Sequence, residues 1–358
     1  MIHAFMTPEV SIVIPSYNSE NTIIPLVSSI YRSQKVNLAK VEVVMVDDHS
    51  SDKTAGLLEK FKLRHRKLTI RIVILKKNKG PARARNVGAR NARGRVLFFL
   101  DSDVILYKNS LYELFKSFDD PDIHALTGVW DRKQKKQAFF PKFKALRDWS
   151  YWINERDPKH YYYLFSTRVA AIDRGLFLRL GGFDEGYKAA LVEDIELTYR
   201  IARRYAVVFN PKVKVHHEFE DFIPIAKKYF WRSFYWSKIY RERKKFDPVA
   251  TTGKEALTTI SAGTLLGLMI LWIVTRGVIG KIRVMGLMPA VDSTFLALMA
   301  LFLVIHLWGV RKFLGFCYTE EGIGFAVKSF VIGFILYIII LSGAIFSMVW
   351  YSNFRFHR

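Results

Sequence analysis

Ala256 to Thr275 is a run of 20 residues without a charge, the length at which an apolar helix crosses a lipid bilayer. Two more such runs follow. Ser293 to Val310 is uncharged, and Val284 to Val291 lengthens it if Asp292 is enclosed; Gly322 to Tyr351 carries only Lys328, near its start. A buried core helix is the competing reading of any one run, but three in succession favour a membrane tail with spans at roughly 256–276, 288–310 and 326–351. Three crossings would place Arg276, Lys281 and Arg283 outside, against the positive-inside tendency; a re-entrant or interfacial first hairpin would remove that conflict.

The tail is not where the charge lies. Of a formal net charge of +23, residues 256 onward contribute only +5. A basic, soluble-looking front of this kind suits nucleic acid, an anionic membrane surface or phosphorylated substrates. Cys317 is the single cysteine, which excludes an internal disulfide and a multi-cysteine metal site. Val10 to Pro15 is too short for the apolar core of a signal peptide, so the front is expected in the cytoplasm.

The front alternates short apolar runs with helical patterns. Val10–Ile14, Val41–Val46, Ile70–Leu75 and Val96–Leu100 have the length and composition of buried strands. Asn21–Tyr31, Thr54–His65 and Ala82–Arg93 have helical spacing. This order predicts an α/β domain with a mostly parallel, doubly wound sheet. The strands stop abruptly at polar groups: Pro15-Ser16-Tyr17-Asn18, Asp47-Asp48, and Asp101-Ser102-Asp103. Ligands of such sheets bind beyond the carboxyl ends of the strands. Two acids at i and i+2 there can hold a hard divalent cation, and the cation a diphosphate. Plain acidic turns are the alternative; for Asp47 and Asp48 it is a helix N-cap beside an Asx turn. No G-x-G-x-x-G follows the first strand and no P-loop motif occurs, so a dinucleotide fold or P-loop loses support.

Beyond Asp103 the pattern predicts a helix over Leu111–Phe118 and strands over Ile123–Val129, Thr167–Ile172, Val207–Phe209 and Val213–Val215. Phe139 to Phe165 mixes aromatic and basic residues, including Tyr161, Tyr162 and Tyr163. Such a mixture can bind single-stranded nucleic acid or lie in a bilayer interface; the apolar tail favours the second. Asp221–Phe246 reads the same way, as a basic aromatic helix at the membrane face. The glycines of Gly181-Gly182-Phe183-Asp184-Glu185 permit close backbone approach to a ligand. Glu193, Asp194 and Glu196 open a helix running to about Arg204. The helix dipole alone explains acids there; one of them could also take a proton from an attacking hydroxyl.

Five ordered blocks, SIVIPSYNSE (11–20), VMVDDHSSDKT (44–54), NKGPARARNVGARNARGRVLFFLDSD (78–103), GGFDE (181–185) and VEDIELTYRI (192–201), resemble a family 2 glycosyltransferase of the GT-A fold, a Rossmann-like, mostly parallel sheet. The resemblance implies that Pro15, Tyr17, Asn18 and Glu20 meet the nucleoside and that Asp48 holds the base or ribose. Gly80, Arg83 and Asn86 pack against the nucleotide, with Ser102 on the donor side. Asp101 and Asp103 carry Mg²⁺ or Mn²⁺, with His216 completing the metal shell. Asp194 is the catalytic base, Glu193 assisting or structural, and the usual outcome is inversion. Gly182, Phe183, Asp184, Arg232 and Trp236 fall on the acceptor side. Many relatives carry Gln-x-x-Arg-Trp after the last strand. Here Lys228-Tyr229-Phe230-Trp231-Arg232 and then Trp236 stand instead, which fits a single transfer better than processive polymer synthesis.

The expectation is a multi-pass cell-membrane enzyme with a cytoplasmic catalytic domain over 1–220, interfacial helices over 221–255 and a transmembrane region over 256–358. It moves a sugar from a UDP- or GDP-linked donor to a lipid or lipid-linked acceptor, with no nucleic acid involved. The competing readings are a non-catalytic membrane adaptor and a processive polysaccharide synthase.

Overall fold

The computed structural model describes residues 7–155, 163–187, 191–246, 252–282 and 288–354; Tyr161, Tyr162 and Arg283 lie outside them. The chain divides into two compact units, Met1–Gln137 with Asp157–Phe219, and Ala138–Arg156 with Glu220–Arg358.

The first unit is built on eight strands in one sheet: β1 (Val10–Ser16), β2 (Val41–Asp47), β3 (Thr69–Ile74), β4 (Val96–Leu100), β5 (Val104–Leu106), β6 (Ala125–Trp130), β7 (Val169–Asp173) and β8 (Val207–His217). Their spatial order is β3-β2-β1-β4-β7-β6-β8-β5. β3, β2, β1 and β4 run parallel; β4 is an unbroken apolar run, whereas Ser11, Glu42 and Arg71 interrupt β1, β2 and β3. β1, β2 and β4 are buried along their whole length. Pro15 is tolerated inside β1 because the pairing with β4 ends at Val13↔Phe99, where a missing N–H no longer interrupts a ladder. The helices α1 (Ile23–Tyr31), α2 (Thr54–Arg64) and α3 (Pro81–Asn91) connect these strands. α3 packs Ala82, Ala84 and Ala89 into a core with Val13, Val46, Leu97 and Phe99; small residues let it approach the sheet closely.

The other half of the sheet is mixed. β7 runs antiparallel to β4 and to β6, while β8 is parallel to β6 and antiparallel to β5. Helices α4 (Ser110–Phe118), α6 (Arg174–Arg179) and α7 (Glu193–Ile201) complete the unit. β8 is one strand of 11 residues rather than the two short ones expected. The register jumps from Thr127↔Phe209 to Val129↔Lys214, so Asn210-Pro211-Lys212 form a bulge instead of a break. Gly128 admits that bulge, since a Cβ there would stand 2.1 Å from the Val213 carbonyl oxygen.

The second unit is helical: α5 (Phe139–Trp149), a π-helical turn over Ser150–Asn154, α8 (Phe222–Arg243), α9 (Gly253–Ile282), α10 (Met288–Glu321) and α11 (Ile323–Phe354). Three helices, Gly253–Gly277, Pro289–Glu321 and Ile323–Trp350, are long and apolar enough to cross a membrane. α5 is packed rather than merely lying on a surface. Phe140, Phe143 and Leu146 join Ile225 and Tyr229 of α8, Phe313 and Cys317 of α10, and Leu336 of α11. Arg147 of α5 donates to the Tyr229 hydroxyl at 2.6 Å. Its guanidinium stands 5.1–5.3 Å from the rings of Tyr151, Tyr229 and Tyr337, a cation–π cage that offsets its burial. α8 runs along α11, where Ser233 donates to the Ile340 carbonyl and Arg241 to Ser347. Asp292 accepts from Arg276 at 2.7 and 3.1 Å and from Trp272 at 2.7 Å, so the acid enclosed by the second apolar run pairs with Arg276.

Candidate active site

Strand directions decide what meets at one rim. β1, β2 and β4 all end there. β7 is antiparallel to β4 with Leu100↔Val169 paired, so Arg168, just before β7, arrives beside the end of β4. β6 reverses again and β8 runs with it, bringing Trp130 and His217 to the same edge. β5 leaves the edge with Val104 paired to His217. Ser16, Asp47, Asp101, Asp103, Trp130, Arg168 and His217 therefore share one side of the sheet.

The loops after β1 and β2 are laced together. Asn18, at φ 48°, donates its N–H to the Ser50 hydroxyl and accepts from the Ser51 N–H. Glu20 accepts from the Lys53 N–H and donates its own N–H to Asp52. Asn18 and Glu20, expected on the nucleoside, thus shape the loop that carries it. Tyr17 stands 52% exposed above this lacing, free to cover a ligand, whereas Pro15 is buried in β1. Asp48 is 3% exposed and accepts from the Lys79 N–H at 2.9 Å and the Gly80 N–H at 2.7 Å. Gly80 needs its freedom here, at φ 89°, to turn the chain into α3. Ser102 meets the Ser19 hydroxyl at 2.9 Å, which ties the Asp-Ser-Asp loop to the first loop.

Arg85 is the hub that the sequence reading did not single out. It is 2% exposed, with Nη2 2.7 Å from Asp101 and Nη1 3.0 Å from Glu193. Burial disfavours its charge, but Asp101 and Glu193 more than restore it, and Asp194 adds to the same field. Glu193 is also 2% exposed and accepts from the Leu191 N–H at 2.8 Å. Of the two roles expected for it, assisting or structural, these contacts fit the structural one. Asp194 is half-buried one residue into α7, with the Ile195 N–H on its Oδ1 at 2.8 Å. Its backbone carbonyl accepts from Thr198, whose Oγ1 in turn accepts from the Phe165 N–H.

The Gly-Gly-Phe-Asp-Glu loop is fastened to α3. Asn86 donates to the Phe183 carbonyl and Glu185 and accepts from the Phe183 N–H, all at 2.8–3.0 Å. Arg83 pairs with Glu185 at 2.7 Å. Asn86 is 4% exposed, and these bonds fasten the loop to α3. Gly182, at φ 72°, has no room for a side chain, because a Cβ would lie 2.5 Å from Asn86 Oδ1. Phe183 is core rather than acceptor surface: it is 2% exposed and packs 5.3 Å from both Phe99 and Phe177. Asp184 remains exposed. Arg232 and Trp236 belong to the second unit, one turn apart on α8, with Trp236 stacked on Tyr240.

Asp103 is the exposed acid, its side chain 51% accessible, with Oδ2 3.4 Å from His217 Nε2. Partial desolvation by the surrounding protein raises its carboxyl despite that exposure, but the hydrogen bond and charge of His217, with the charge of Arg168, outweigh it and bring the carboxyl down to about 2. His216 points the other way and pairs with Glu218 at 2.6 Å. Alternation along a strand forces this choice: the Val104↔His217 register sets His217, not His216, beside Asp103. Asp101 keeps 31% exposure although Arg85 holds one of its oxygens. The donor set suits a hard cation, and the His217 Nδ1 is buried without a partner. Among the described residues no three His, Cys, Asp or Glu side chains converge tightly enough to cage an ion. A cation here must share its shell with ligand oxygens, as Mg²⁺ usually does with phosphates.

Residues 11–177 match the family described as Glycosyl transferase family 2. Over 111 residues the chain is 35% identical to the poly(ribitol-phosphate) beta-N-acetylglucosaminyltransferase TarS of Staphylococcus aureus, covering 31% of this chain and 19% of that protein. Over 112 residues it is 36% identical to the succinoglycan biosynthesis protein ExoO of Rhizobium meliloti, covering 31% of this chain and 30% of that protein. The chain thus spans less than a third of the length of these relatives. Among solved structures, the mannosyltransferase PcManGT of Pyrobaculum calidifontis, in complex with GDP-Man and Mn²⁺, shares the fold at a TM-score of 0.57 and 18% identity, over 95% of this chain and 87% of that one.

Proposed function

We propose that this chain, whose residues 11–177 form a family 2 glycosyltransferase domain of the GT-A fold, transfers a sugar from a UDP- or GDP-linked donor to a lipid or lipid-linked acceptor at a membrane. The observation that carries the reading is the single rim holding Asp101, Asp103, His217 and Asp194 around the Arg85 ion-pair network. A non-catalytic adaptor has no need of that convergence. The departure from Gln-x-x-Arg-Trp keeps a processive synthase the lesser alternative.

In this reading Asp103, Asp101 and His217 hold Mg²⁺ or Mn²⁺ together with the donor diphosphate, His217 taking the place first given to His216. A bound divalent cation supplies Lewis-acid stabilisation of the departing nucleoside diphosphate. Arg85 fixes Asp101 from behind. Asp48 and the laced loops shape the nucleoside pocket under Tyr17. Asp194 accepts the proton of the attacking acceptor hydroxyl, and direct displacement inverts the anomeric centre. The three apolar helices motivate the lipid acceptor, since a soluble acceptor needs no bilayer dock. The catalytic unit faces the cytoplasm.

Incubating membranes that contain the chain with a panel of radiolabelled nucleotide sugars, then extracting lipid, tests this directly. Label should enter the lipid fraction with at least one donor and only with a divalent cation; no labelled lipid with any donor contradicts the reading. A second test separates the two histidines. His217→Ala should raise the Mn²⁺ concentration for half-maximal nucleotide binding roughly 10–100-fold, while His216→Ala leaves it within about twofold. The reverse order would restore His216 to the metal shell.

A further inference from the structure

We propose that Arg168 is a phosphate-binding residue of this site, an inference that rests on the glycosyltransferase reading above. Arg168 sits in the turn that delivers the chain to β7, at the rim reached by Asp101 and Asp103. Its guanidinium lies 4.8 Å from the ring centre of buried Trp130 and 5.3 Å from that of Phe219. Phe219 also packs against the His217 ring at 4.6 Å, and His217 meets Asp103. Trp130, Arg168, Phe219, His217 and Asp103 therefore form one contiguous patch.

Arg168 has a cation's location without a cation's partner. Among the described residues no carboxylate forms an ion pair with it, and its Nε is buried with no hydrogen-bond acceptor. Its charge nevertheless reaches Asp103. A half-buried guanidinium left without an acceptor loses hydration that stacking only partly replaces. The aromatic faces hold the planar fork in a fixed orientation, so little side-chain freedom is lost when an anion binds. Arginine forks match phosphate oxygens two at a time, which a lysine cannot do. The missing partner is thus an anion brought by a substrate, and at this rim the available anion is a phosphate. It belongs either to the donor diphosphate or to a phosphate on the lipid acceptor.

The test uses the purified full chain in detergent. Binding of UDP and of GDP is measured by calorimetry with Mn²⁺, and the KM is measured for polyprenyl phosphate against unphosphorylated polyprenol. Arg168→Gln should weaken one phosphate readout about tenfold or more. Weakened nucleotide binding assigns the residue to the donor; a raised KM for polyprenyl phosphate alone, with nucleotide binding intact, assigns it to the acceptor. Arg168→Lys, which keeps the charge but neither the planar stacking nor the fork, should lose several-fold in the same readout. If Arg168→Gln melts with the wild type and changes neither readout by more than twofold, the proposal is wrong. It is equally wrong if Arg168→Gln fails to fold and Arg168→Lys binds and turns over like the wild type. Failure of the wild type to bind either nucleotide overturns the glycosyltransferase reading instead.

Discussion

Asp194→Asn should lower kcat by about 10²–10⁴-fold, the usual contribution of a positioned general base, while leaving Mn²⁺-dependent nucleotide binding within about twofold. The substitution is close to isosteric. Asn keeps the side-chain oxygen that receives the Ile195 N–H, and the lost charge in the first turn of α7 costs about 0.3–1 kcal/mol. The backbone contact from Thr198 to the residue 194 carbonyl is untouched. What disappears is the capacity to take a proton, together with the small contribution of the Asp194 charge to the field at Arg85. The acid next to it cannot substitute, because both Glu193 oxygens are engaged, one by Arg85 and one by the Leu191 N–H. Glu193→Gln should therefore act through the stability of the site rather than the chemical step. If Asp194→Asn retained more than a third of wild-type kcat, the proton would have to go elsewhere.

Arg85→Leu should cost the first unit roughly 3–5 kcal/mol, the range for removing one partner of a buried ion pair. Glu193 would be left 2% exposed and negatively charged with one backbone N–H for company. Asp101, at 31% exposure, can recover hydration and suffers less. The double variant Arg85→Leu, Glu193→Leu removes both buried charges and should regain much of the loss, an interaction that a double-mutant cycle measures. Its Asp101 would still lack the fixed orientation that Arg85 provides, so stability should recover further than activity. Urea unfolding followed by tryptophan fluorescence reads the stability; equal losses in the single and double variants would contradict the ion-pair account.

How much of this was legible beforehand depended on periodicity. The four parallel strands are short runs dominated by apolar residues, and the polar stop of the unbroken run Val96–Leu100 points to Asp101 and Asp103. Arg85 was hidden because α3 carries it among Arg83, Arg90 and nearby Arg93 and Arg95, which look alike as a solvated face. Its spacing three after Ala82 and four before Ala89, both buried, was the available signal. The choice between His216 and His217 rests on strand parity, which needs a register that only the Val104 pairing supplies. Phe183 was misread because a glycine loop suggests a ligand, whereas here it lets one ring reach Phe99 and Phe177. The bonds from Asn86 to the backbone of Phe183 were not legible either, because a polar side chain in a helix does not announce which loop it serves. The grouping of α5 with α8, α10 and α11 was unreadable because aromatic–basic mixtures suit a headgroup layer and a helix core alike until partners are known.

In the proposed reaction the acids at the end of β4 bind a nucleoside diphosphate through a divalent cation. Calorimetric titration of the full chain with UDP and with GDP, with Mn²⁺ and then with EDTA, compared with an Asp101→Asn, Asp103→Asn variant of unchanged melting temperature, tests it most directly. The account predicts tight binding of at least one nucleotide that falls more than tenfold with EDTA and equally in the variant. Nucleotide binding indifferent to both the cation and the two acids would contradict it.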